Sequence, residues 1–146
     1  MAIRRFTLVM GLLFVFVGIF AFVPGVTGPP TSMDPSLAVE SFHGRLFGLF
    51  PVNLLHNLVH LGLGVWGLVA AKDVAKSLLY CRSAAIIYLV LAVMGFVPGL
   101  NTLFGLLPLH GHDIWLHIIL ALPLAYFGFV KSDVYAGYRR DQTATI

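Results

Sequence analysis

Residues 53–68, NLLHNLVHLGLGVWGL, decide the fold of this chain. The stretch is apolar enough for a membrane, yet it holds two histidines and two asparagines. An α-helix turns about 100° per residue, so positions three and four apart share a face. On that wheel Asn53, His56, Asn57, His60, Gly64 and Gly67 form one stripe. Leu54, Leu55, Leu58, Val59, Leu61, Val65 and Trp66 cover the other sides. The pattern predicts a lipid face and an inward face that is polar above and small below. Polar side chains inside a bilayer are costly and normally face a bundle interior.

The rest of the composition agrees. Of 146 residues, 59% are hydrophobic and 10% charged, with a mean hydropathy of +0.93, which is membrane composition. The basic residues sit at the ends of apolar runs rather than in a patch, so they serve as topology signals and not as a nucleic-acid surface. Cys81 is the single cysteine, which excludes an intramolecular disulfide and a CxxC site.

Working outward, a crossing needs about 20 apolar residues. Four segments meet that length, about 6–23, 52–71, 83–100 and 113–130, followed by a cytoplasmic tail, 131–146. The first run is read as a retained span rather than a signal peptide, since it is long for one and AFVPG is a poor cleavage site. The expected architecture is an all-α four-transmembrane-helix bundle in one membrane domain. Arg4, Arg5, Lys72, Lys76, Arg82, Lys131, Arg139 and Arg140 fall on one side of it and only Arg45 on the other. The positive-inside rule then places both termini in the cytoplasm. Asp34-Pro35 suggests an N-cap and first turn, so SLAVESFHGRLFGLF is expected to form a short interfacial helix. The apolar loop 100–109 is expected to lie in the interface or dip into it, so that both outer loops carry short interfacial helices.

The fourth span opens with His110, His112, Asp113, Trp115 and His117. Asp113 and His117 share a helix face that continues through Ala121, Leu124 and Gly128. By helical rise His56 lies about 9 Å below Phe50 and His117 about 6 Å below Asp113. The two imidazoles therefore reach similar depth, with His60 one turn deeper.

Asn53-x-x-His56, then Asn101-Thr-Leu-Phe-Gly-Leu-Leu-Pro108, then Asp113-x-Trp115-Leu-His117 resembles an uncharacterised bacterial family of four-span membrane proteins, a domain of unknown function. The resemblance covers about 46–130. It implies the four-helix fold, a bacterial plasma membrane (or an internal photosynthetic one), and Asn53, His56, Asp113, Trp115 and His117 as signature positions. It implies no activity.

Three functional readings follow from the residues. The first is architectural: His, Asn and Asp join helices, with Gly62, Gly64 and Gly67 allowing close approach, in a structural or accessory subunit of a larger membrane complex or a homo-oligomer. The second is a cofactor site. His56, His60, Asp113 and His117 could hold zinc, copper or iron, with Asn53 and Asn57 orienting the ligands. Alternatively, His56, His60 or His117 could ligate a haem or chlorophyll. The third is proton or cation transport, weakened by inner half-spans without ionisable residues. No nucleophile motif, phosphate loop or glycine fingerprint points to an enzyme.

Overall fold

A computed structural model describes residues 2–131. Four α-helices form the bundle: α1 (Ala2–Phe20), α2 (Leu54–Ala70), α3 (Val74–Phe96) and α4 (His112–Ala125). α4 continues as a π-turn, Tyr126–Val130, just beyond Pro123. α1 packs mainly on α2 and α3 mainly on α4. Three helical stretches, Ala2–Phe20, Val74–Phe96 and His112–Val130, are long and apolar enough to cross a membrane. α2 is shorter, at 17 residues.

Most of each long helix faces outward: only 28–39% of each span window is buried. The outward positions are leucine, valine, isoleucine and phenylalanine, such as Leu12, Val65, Val93 and Ile119. Such faces suit lipid contact. The inward faces are small or polar. Ala84, Ala85 and Ala121 are wholly buried beside Phe14, Tyr80 and Tyr88.

The α1–α2 seam shows why glycine recurs. A Cβ on Gly64 would stand 2.6 Å from the Val15 backbone nitrogen, and one on Gly67 would stand 2.9 Å from the Gly11 Cα. Small residues let the two backbones touch. Gly62, grouped with them in sequence, meets nothing; the other glycines of the seam are Gly11, against Gly64, Gly67 and Leu68, and Gly18, against Asn57 and Leu61.

The long connections depart from expectation. Neither long loop, 21–53 or 97–111, forms the expected interfacial helix among the described residues. The first loop builds a three-stranded antiparallel sheet in the order β1 (Thr27–Gly28), β2 (Gly44–Leu46), β3 (Phe50–Val52). The segment SLAVESFHGRLFGLF cannot stay helical because Phe47 and Gly48 both have positive φ, 53° and 72°, and turn β2 back into β3. The ladder then satisfies backbone groups that a broken helix would leave unpaired. Asp34 does not cap a helix. It bends back to accept from the Thr31 N–H and forms an ion pair with Arg45. The second loop is a chain of turns rather than a helix, with Leu103 and Phe104 at positive φ.

Helix boundaries also shift. α3 starts at Val74, nine residues before the expected position 83, because Asp73 caps it by accepting from the Lys76 N–H. Arg82 is therefore inside the helix, where its Nε donates to the Gly128 carbonyl of the π-turn at 2.7 Å. Residues 132–146, most of the expected cytoplasmic tail, lie outside the described residues.

Candidate functional site

The predicted stripe on α2 is the buried one: His56, Asn57, His60, Gly64 and Gly67 all face inward. On α4 the buried face is Asp113, His117, Ala121 and Leu124, continued by Gly128. The two faces meet near the sheet end of the bundle.

There, ligand atoms of His56, Asp113 and His117 lie within 4.8 Å of one another, and all three residues are buried. The His56 and His117 rings are nearly parallel, with centroids 6.4 Å apart. His117 Nε2 stands 3.5 Å from Asp113 Oδ2, one helical turn away. His60 is outside this group of three. Its ring meets His56 edge-on at 4.7 Å and leans on Phe14 at 5.8 Å.

Several polar atoms here make no hydrogen bond: His56 Nδ1, His117 Nδ1, Asp113 Oδ2 and both amide atoms of Asn57. Buried polar groups are normally paired, so each exception calls for a reason. The Pro108 carbonyl is a hydrogen-bond acceptor for His56, which leaves Nδ1 as its unpaired nitrogen. A backbone carbonyl on one imidazole nitrogen is the usual way a ligating histidine is oriented.

A cavity of about 20 Å³ adjoins the cluster, lined by His56, His60, His117, Tyr88, Leu107 and Leu109 among others. It has room for about one water-sized probe. Tyr88 of α3 was not singled out as a site residue, yet its ring lies 5.0 Å from His117. The available signal was that it is a polar group in an otherwise apolar span.

Asn53 has a different job from the one expected. Its Oδ1 accepts from the His56 N–H at 3.0 Å and so caps α2. Its Nδ2 donates to the carbonyls of Val39 and Leu106, at 2.9 and 2.8 Å. The side chain fixes where α2 begins and ties both long loops to that point. Asn57, by contrast, is buried beside the cluster with its amide uncommitted.

The loops above the site carry their own electrostatics. The Arg45 guanidinium bonded to Asp34 holds that carboxyl well below the usual range, and Asp34 raises Arg45 in return. Burial lowers His110 and keeps it neutral. His112 is exposed and His43 half-buried, so neither joins the cluster. Trp115 points outward, edge-on to Phe96.

Fold and site together define a class: a helical protein of membrane type with a buried histidine–aspartate cluster shared between two helices. The family DUF4383, a domain of unknown function, matches residues 4–130, and the chain belongs to it. The match takes in α1 as well as the motif-bearing half that carried the resemblance. No curated protein and no solved structure matches the chain.

Proposed function

We propose that this is a four-span integral membrane protein that binds a single transition-metal dication through His56, Asp113 and His117. One observation carries the reading: three groups of the right chemistry converge within 4.8 Å in a buried site, and each keeps one polar atom without a hydrogen bond, His56 Nδ1, His117 Nδ1 and Asp113 Oδ2. Two imidazoles and one carboxylate suit zinc, iron or copper. Bonds of about 2.0–2.2 Å would draw the ligand atoms to roughly 3.3 Å apart, a small side-chain adjustment. Three protein ligands leave a position open, toward the cavity lined by His60 and Tyr88.

The cavity supports an ion rather than a haem or chlorophyll, since about 20 Å³ holds no macrocycle. The architectural reading needs the cluster's polar groups paired between helices. Asn53 is the site residue whose amide is fully engaged, and its partners are loop carbonyls and its own helix rather than a second helix.

The test is elemental analysis of the untagged protein purified in mild detergent. Close to one zinc, iron or copper per chain is expected, lost in His117→Gln and in Asp113→Asn, and kept in Asn57→Ala. Melting curves of each variant separate metal loss from unfolding. A folded native protein without stoichiometric metal would overturn the proposal and return the cluster to an architectural role.

A further inference from the structure

At the end of the bundle opposite the sheet, α1 begins and α2 ends around an open cavity of about 450 Å³. Among the described residues its lining is Arg4, Arg5, Leu8, Leu68, Ala71 and Lys72, three cations with no acidic residue. Arg4 is held in place because its Nε donates to the Ala71 carbonyl at 2.9 Å. That bond also satisfies a carbonyl just past the end of α2 and ties Arg4 to Ala71, both of them in the lining. Arg5 and Lys72 are exposed beside it. Leu8, itself outward-facing, continues into the apolar face formed by Val9, Leu12 and Phe16 of α1.

We propose that this cavity is a binding site for the headgroup of an anionic phospholipid. A positive-inside bias accounts for basic residues near a membrane face, but it does not require three of them to line one cavity with two leucines. A ligand that uses the whole lining needs a phosphate for the cations and hydrocarbon for Leu8 and Leu68. A free phosphate leaves the leucines unused, and a zwitterionic lipid brings its own cation toward Arg4, Arg5 and Lys72. Basic pockets between spans recognise lipid phosphates in this way. The site rests on the membrane placement of the bundle but not on the metal cluster, which lies at the other end.

Native mass spectrometry of the detergent-solubilised full chain, titrated with phosphatidylglycerol or phosphatidylcholine, tests this. One tightly retained phosphatidylglycerol is expected, with phosphatidylcholine released at much lower activation. Each surface cation near a membrane is worth about a fivefold change in affinity, so R5Q/K72Q is expected to weaken retention about 25-fold. Both side chains are exposed, so melting temperature and metal content are expected to stay as in the native chain. K76Q, a cation at the same end that does not line the cavity, is expected to bind normally. Equal retention by native chain and R5Q/K72Q would overturn the site. Displacement of the lipid by millimolar inorganic phosphate would overturn the lipid assignment in favour of a soluble anion.

Discussion

Asn53 and Leu106 are joined by a 2.8 Å hydrogen bond from the Asn53 amide to the Leu106 carbonyl. The bond fastens the second long loop to the first turn of α2. From there Pro108 reaches His56, and Leu107 and Leu109 close over the cavity. The same amide also holds Val39 of the first loop. One side chain therefore positions the cover of the site and the helix that carries half of it.

Asn53→Ala removes a helix cap and leaves two loop carbonyls without their donor. A loss of about 3 kcal/mol is expected, measured by thermal melting in detergent. Asn53→Asp keeps the acceptor for the His56 N–H but not the two donations. It is expected to lose less stability than alanine only if the cap outweighs the unfavourable meeting of a carboxylate with two carbonyls; melting of the two variants side by side ranks those terms.

Gly64→Ala is expected to destabilise the bundle by about 1–3 kcal/mol, because its Cβ would press on backbone atoms of α1, which cannot rotate away. Gly62→Ala on the same helix meets open space and is expected to be neutral or slightly stabilising through helix propensity. Equal effects of the two would contradict the close approach of α1 and α2.

His60→Leu is expected to leave about one metal per chain, because His60 lies outside the three-residue group. Its closeness to His56 and to the cavity predicts a weaker hold on the metal, read as faster loss to a chelator. Complete loss of metal in a folded His60→Leu protein would make His60 a fourth ligand.

Acid is expected to loosen the two long loops in two steps. His110 is buried neutral and its folded value is lowered, so its contribution is present above the ordinary histidine value, about 6.5, and fades as pH falls below it. Asp34 is also lowered in the fold, by Arg45. Its contribution is full above the ordinary carboxylate value and is lost as pH falls below about 4 toward the folded value. Amide hydrogen exchange of residues 27–52 against pH measures both. His110→Gln is expected to remove the first step and Asp34→Asn the second, the latter costing about 1.5–3 kcal/mol at neutral pH.

The sequence by itself determined the helices and their inward faces. The stripe through His56, His60 and Gly64, and the one through Asp113, His117 and Ala121, follow from a 3.6-residue repeat, which is a local property of the chain. That locality is why both stripes fall on the buried faces, to which the structure adds Ala70 and Ile114. The loops were not legible in the same way. Residues 36–50 carry apolar residues that fit a surface helix, but a hairpin at Phe47-Gly48 and pairing with Thr27 and Gly28 decide otherwise. Those partners are distant in sequence, and local pattern does not reveal them. Tertiary structure also chose among polar residues of equal promise. It committed Asn53 to backbone carbonyls, set His60 aside from the group of three, and brought Tyr88 and Pro108 to the site. Such choices depend on which side chains from separate elements arrive at one point, and only the packed fold fixes those distances.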